Sequence, residues 1–205
     1  MKISLKDISK ILGDKVIIDN FSYDFNSGIN YFLHGKNGSG KTTLLKIISG
    51  LIKEDKGQLY LEDSKNNLSK LKISYIDNNP RSFFLRLTGF QNIYFFGALY
   101  GLEESQCDAA INELFKKFNL HNFFSKPVNE FSLGQKQILS LVRGLIMKPD
   151  IILLDEVYSS LDESNRLLTV HLLDELLNQN DELIIINASH DKDIINRFSS
   201  EAISL

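Results

Sequence analysis

The order of apolar and polar positions divides this chain into three stretches. The first opens with short alternating runs, ISL, KVIID and FSYDF, the period-two pattern of half-buried strands. INYFLHG follows as a strand that breaks into glycines, and TTLLKIISG reads as a helix stopped by Gly50. GQLYLE and KISYI are two further strands. From about residue 78 to 130 the pattern is helical or looped. Within it, Ile111, Leu114, Phe115 and Phe118 recur at the spacing of one helix face. Strand and helix then alternate again. Ile138, Leu141, Val142 and Leu145 mark a helix, IILLDE a buried strand, Leu167 to Leu177 a helix, and LIIIN another strand. Short continuous apolar runs such as IILL and LIII suit parallel strands covered on both faces. The pattern predicts an α/β core interrupted by a helical insertion.

Composition adds limits. The 205 residues suffice for one sizeable core or two small subdomains. A net charge of −3 argues against a general grip on nucleic-acid backbone. Cys107 stands alone, which suits a reducing compartment and excludes an internal disulfide. No apolar run approaches the ~20 residues that span a bilayer, and MKISLKDISK lacks the apolar centre of a signal peptide. The expectation is a chain without a membrane span of its own.

The strongest chemical signal is GKNGSGKT, Gly35 to Thr42, between a strand and a helix. Glycines let the backbone wrap closely, so that N–H groups point at a phosphate, and the helix start adds its positive dipole end. Lys41 supplies a flexible cation for the β- and γ-phosphates, and the Thr42 hydroxyl can ligate Mg²⁺. Nucleotide binding follows. The run IILLDE ends in two carboxylates, where ligand sites of parallel sheets open. Asp155 is the candidate for the Mg²⁺ shell, and Glu156 for polarising an attacking water.

A third segment, EFSLGQKQ, precedes the helix before IILLDE. With GKNGSGKT and IILLDE in that order, the sequence resembles the ATP-binding subunits of ABC transporters over nearly its whole length. The resemblance implies a P-loop NTPase (RecA-like) α/β core, with an N-terminal antiparallel β-subdomain and an inserted α-helical subdomain. It implies a single ATPase domain over 1–205, with 1–78 and 132–205 as the core and 79–131 as the helical part. It assigns Gly35, Asn37, Gly38, Ser39, Gly40, Lys41, Thr42 and Thr43 to ATP, and Thr42, Asp155 and Asn78 to Mg²⁺. Ser132, Gly134 and Gln135 would grip nucleotide held by a second ATPase subunit, of the same or a related chain. Asp162, in Ser159-Ser160-Leu161-Asp162, would lie at that seam. Glu156 and His190 would be catalytic.

This chain departs from the family pattern at several places. Leu133 stands where a glycine is usual, and Phe131 where a leucine is. Asn78 stands for a glutamine, with the same amide on a shorter stem. Leu12 takes the place of an aromatic that stacks on adenine, so weak base discrimination is expected. Between Phe83 and Tyr100 lie seven of the chain's 21 aromatic side chains, flanked by Arg81 and Arg86. Most should build the insertion's core. The others should meet a separate transmembrane permease, which would hold the protein at the cytoplasmic face. This stretch is similar to exporter-type members. Other readings are a soluble ABC-type ATPase acting on DNA or ribosomes, a P-loop kinase for a small molecule, and a hydrolysis-impaired member of a heterodimer. The first usually carries coiled-coil insertions or tandem domains. The second needs neither the Ser132 segment nor Ser159–Asp162.

Overall fold

The computed structural model describes residues 1–62, 71–79, 82–118 and 121–205. Arg81 lies outside them. The chain forms two compact units, Met1–Tyr75 with Asp150–Glu156 and Leu173–Leu205, and Ile76–Pro149 with Val157–Leu172. The predicted α/β class with an antiparallel subdomain and an inserted helical part is the architecture found.

In the first unit, β1 (Lys2–Leu12), β2 (Lys15–Asn26) and β4 (Lys56–Glu62) form an antiparallel sheet of order β2-β1-β4. The separate strands expected at KVIID and FSYDF are one strand, because pairing with β1 runs on through three register shifts. Asp7 and Asn20 take φ values of 53° and 52° at these irregularities. The Ser22 and Ser9 hydroxyls accept their backbone N–H groups, so the bulged backbone keeps its hydrogen bonds.

The second sheet is parallel, of order β5-β6-β7-β3-β8, with β3 at Ile29–His34, β5 at Ile73–Asp77, β6 at Ile151–Asp155, β7 at Ile184–Ala188 and β8 at Glu201–Ser204. Every residue of β6 and β7 is buried, as expected for strands covered on both faces. Strand β8 and the helix α7 (Lys192–Phe198) were not predicted. β8 is short and mostly exposed. α7 begins at Asp191, whose carboxylate accepts from the N–H groups of Asp193 and Ile194, an N-cap readable in principle from S-H-D-K-D.

Helix α1 (Lys41–Ile48) packs Leu44, Leu45, Ile47 and Ile48 into a core with Leu33, Leu153, Ile186 and Ala188. Each such side chain contributes about 1.5–3 kcal/mol on burial. Register then sets the site. Asp155 pairs with Ala188, and Leu33 pairs with Ala188 on the other side, so β3, β6 and β7 end at one edge. The segments after them, 35–40, Glu156 and 189–190, emerge together.

The second unit holds α2 (Gly89–Leu99), α3 (Glu104–Phe118), α4 (His121–Phe124), α5 (Leu133–Leu145) and the start of α6 (Glu163–Gln179). α2 opens with a capping box between Thr88 and Gln91. Phe90, Phe115, Phe124, Phe123 and Phe131 form a chain of ring contacts with centroids 4.6–5.8 Å apart. Phe131, in place of leucine, extends this cluster. Gly97 lets α2 and α3 approach, since a Cβ there would lie 2.3 Å from Cys107 Sγ. This unit is wider than residues 79–131. α5 packs on α2, with the Arg143 guanidinium 4.6 Å from the Phe83 ring and 4.8 Å from Phe96. Among the described residues, no helix is long and apolar enough to cross a membrane.

Candidate active site

The P-loop follows β3 directly. Gly35, Gly38 and Gly40 hold φ values of 155°, 83° and 102°. A Cβ at Gly35 would lie 2.5 Å from the Leu205 carbonyl, and one at Gly40 2.9 Å from the Ile17 carbonyl, so only glycine both fits and turns at either position. Gly40 also ends the loop as the N-cap of α1 and offers no side-chain cap, which leaves the helix start to the loop's ligand. Lys41 is buried, with Nζ donating to the carbonyls of Gly35 at 2.9 Å and Lys36 at 3.3 Å. A buried ammonium satisfied only by loop carbonyls is poised to exchange them for phosphate oxygens. Ser39 N–H donates to the Lys36 carbonyl, while the Ser39 hydroxyl is buried beneath the loop without a partner.

Beside the loop is a cleft of about 300 Å³ lined by Asn37, Gly38, Gly40, Lys41, Thr42, Thr43, Glu156 and Ile17. Ile17 enters from β2 and was not singled out from sequence. Leu12, expected to contact the base, stands half exposed at the hairpin end with Ile11 and Val16. The apolar wall is therefore supplied from one strand further along, by a β-branched residue with no ring to stack.

The Thr42 hydroxyl donates to Asp155 Oδ1 at 2.9 Å, and the Tyr75 hydroxyl donates to Asp155 Oδ2 at 2.8 Å. Asp155 is nearly buried, so these two bonds fix its carboxylate. Tyr75 lies on β5 and gave no sequence signal beyond strand alternation. A hydroxyl beside one carboxylate is the sparse hard-oxygen set that Mg²⁺ takes together with phosphate oxygens. Thr42 and Asp155 fit that ion.

Asn78, expected beside Mg²⁺, engages two serines with its side chain. Its Nδ2 donates to Ser159 Oγ at 2.7 Å and its Oδ1 accepts from the Ser160 hydroxyl, so both ends of the amide are engaged with serines. The stem of asparagine is the right length for two consecutive hydroxyls on the segment after Val157.

Glu156 leaves β6 in the left-handed region, at φ 54°. That conformation costs a non-glycine residue roughly 1–2 kcal/mol, and such strain gathers at functional positions. Its N–H donates to the Ala188 carbonyl at 2.9 Å, which ties the turn to the end of β7. Its Oε2 lies 2.7 Å from His190 Nδ1. The imidazole therefore donates Nδ1–H to the carboxylate and fixes its orientation, while remaining largely exposed. The arrangement suits an acceptor for a water proton at the mouth of the P-loop cleft.

In the second unit, Ser132 caps α5. Its Oγ accepts from Gln135 N–H at 3.2 Å, and Gln135 Oε1 accepts from Ser132 N–H at 3.0 Å. The cap uses the hydroxyl only as an acceptor, so its O–H proton stays available to an incoming oxygen. Leu133 is 59% exposed, pointing outward from the helix start. Gly134 sits close to the segment after Val157: a Cβ there would lie 3.3 Å from the Ser160 carbonyl, a tight contact. Asp162 caps α6 by accepting from Asn165 N–H at 2.8 Å. Arg166, missed by sequence reading, donates to the carbonyls of Tyr158 and Leu161 and holds that segment in shape.

Residues 18–159 match the family model described as ABC transporter. A probable sulfate/thiosulfate import ATP-binding protein CysA from Chlorella vulgaris is 34% identical over 174 residues, covering 81% of this chain and 71% of that protein. An energy-coupling factor transporter ATP-binding protein EcfA from Pediococcus pentosaceus is 32% identical over 185 residues, 87% of this chain and 65% of that protein. The fold matches an ATP-binding subunit of an ABC transporter with a TM-score of 0.85 at 22% identity, covering 100% of this chain and 86% of the other. It also matches the ATP-binding cassette MJ0796, solved as a dimer in a post-hydrolysis state with ADP and Pi, with a TM-score of 0.82 at 24% identity over 99% and 94% of the two chains. The chain belongs to the ABC transporter family as one of its ATP-binding ATPase subunits.

Proposed function

We propose that two copies of this chain, or this chain and a close relative, clamp two molecules of Mg-ATP between them and hydrolyse them to power a membrane permease. Lys41 would leave the Gly35 and Lys36 carbonyls for the β- and γ-phosphates, and the N–H groups of the glycine loop would receive the remaining phosphate oxygens. Thr42 and Asp155 would hold Mg²⁺, which on binding neutralises developing phosphate charge. Glu156, held by His190, would accept the proton of the attacking water. Ser132 and Gly134 would contact the triphosphate held by the partner, using the spare hydroxyl proton and the helix start. The observation that carries this reading is the Glu156–His190 pair at a cleft lined by the P-loop.

Closure on ATP and opening after hydrolysis would drive the permease, because ATP binds the closed pair better than the open one. The direction we favour is export, on the character of residues 83–100. Phe84, Leu85, Phe95, Leu99 and Tyr100 are exposed large apolar side chains of that stretch, suited to a cytoplasmic helix of the permease. The relative named for sulfate/thiosulfate import favours uptake instead. The test is co-purification of the permease followed by reconstitution in vesicles. ATP-driven movement of cargo away from the ATPase side supports export, movement toward it supports uptake, and capture of nucleic acid or ribosomes in place of a membrane protein contradicts both.

A further inference from the structure

The end of β5, the segment after Val157 and the start of α5 form a closed ring of contacts. Gln137, fully buried, donates Nε2–H to the Asp77 carbonyl at 3.1 Å. The next residue, Asn78, spans Ser159 and Ser160 with the two ends of its amide. The Ser160 carbonyl lies against Gly134, at the distance where a Cβ would press on it. Gly134 and Gln137 are three residues apart on α5, hence on one helix face, and the ring closes there. Gln137 Oε1 is buried without a partner, so the Asp77 carbonyl is what holds that amide in place.

We infer that Asn78 is a positioning residue: it fixes Ser159 and Ser160, and through the Ser160 carbonyl it sets the first turn of α5 that carries Ser132 and Gly134. The inference rests on the proposed role of that turn in gripping a partner's nucleotide. Asn78 then acts on ATP from the receiving side of the dimer, without binding metal. An amide is the natural choice, since it donates to one hydroxyl while accepting from the next. Asparagine in place of glutamine shortens the stem by one methylene and suits direct contact with these serines.

The test uses a Glu156→Gln parent, so that ATP persists, and reads dimer formation by sedimentation velocity as ATP is raised. Asn78→Ala and Ser160→Ala should each raise the ATP needed for half-dimerisation by about ten-fold, and the double variant should also stand near ten-fold instead of a hundred-fold. Asn78→Asp, which can accept from both hydroxyls, should stay within about two-fold of the parent and covers the case of a poorly folding alanine variant. The Mg²⁺ concentration needed to half-saturate binding of a fluorescent ATP analogue should not change in any of them. Additive losses overturn the inference. So does a raised Mg²⁺ requirement confined to the Asn78 variants, which would make Asn78 a metal ligand. A parent that dimerises while Asn78→Ala does so equally overturns the inference alone, whereas a parent that stays monomeric overturns the dimer reading and the inference with it.

Discussion

Glu156 and His190 are joined by a 2.7 Å contact between Oε2 and Nδ1, although 34 positions separate them in the chain. The parallel register creates the contact. Asp155 faces Ala188, so the residues that follow each strand leave the same sheet edge. The left-handed turn at Glu156, bonded back to the Ala188 carbonyl, then aims the carboxylate at the P-loop cleft.

Replacing the carboxylate should separate binding from chemistry. Glu156→Gln is expected to lower kcat for ATP hydrolysis by about 10²–10⁴-fold, with ATP affinity kept within about two-fold because the phosphate cradle is untouched. His190→Ala should lower kcat by a smaller factor, since the base remains but is no longer held. Steady-state hydrolysis and equilibrium nucleotide binding, measured on both variants, check this.

Lys41→Ala should behave oppositely. The ammonium is the cradle's only side-chain cation among its described lining residues. Its removal should weaken ATP binding by at least ten-fold, about 1.4 kcal/mol, with a smaller effect on adenosine. Calorimetric titration of the two ligands distinguishes loss of a phosphate contact from general damage to the cleft.

The metal set can be tested through its positioning hydroxyl. Tyr75→Phe removes one of the two bonds that orient Asp155 but leaves the strand apolar and filled. The Mg²⁺ concentration for half-maximal hydrolysis should rise several-fold, toward the 10–100-fold loss typical when a ligand's supporting partner is removed. Asp155→Asn should raise it further. Equal Mg²⁺ dependence in Tyr75→Phe and the parent would show that the tyrosine only fills space.

Base selectivity follows from the missing ring. With Ile17 as the apolar wall and Leu12 half exposed, GTP should compete with ATP within a few-fold. Leu12→Tyr should favour ATP by about 2–12-fold, the worth of one added aromatic contact. Competition binding of ATP and GTP to the parent and to Leu12→Tyr checks it, and strong ATP preference in the parent would count against this account of the base site.

Acid stability should depend on the antiparallel sheet. Asp55 is held below its ordinary carboxylate value first by the Lys10 ammonium and then by the Ile11 N–H. Asp24 is held low first by the Ser4 hydroxyl and then by Lys2. A lowered folded value means that the stabilisation is present above the unfolded value and lost as pH falls through the folded one. Asp55→Asn and Asp24→Asn should therefore lie below the parent in denaturant midpoint at pH 6 and converge with it near pH 2. Both carboxylates are exposed, so 1 M salt should narrow the gap at pH 6.

Much of this site was legible in the sequence because its chemistry is local. The glycine spacing of 35–42 dictates a phosphate loop wherever it joins a strand to a helix, and IILLDE carries its own buried strand and terminal acids. What could not be read was set by pairing across the chain. Tyr75 reaches Asp155 only because their strands stand in one sheet. Ile17 lines the cleft from β2, and strand alternation alone does not say which strand faces the loop. Arg143 is an ordinary polar position on a helix until two phenylalanine rings close on it. The serine partners of Asn78 could not be read because they lie 81 and 82 residues away.

The shared site itself is tested most directly by mixing two inactive chains. Lys41→Ala removes the phosphate cation, and Ser132→Ala removes the hydroxyl offered to the partner's nucleotide. Each alone should form only defective pairs. A mixed pair contains one complete site, built from the intact P-loop of one chain and the intact Ser132 of the other, so ATPase activity should reappear on mixing and follow the fraction of mixed pairs. A mixture no more active than the sum of its two components would contradict the account.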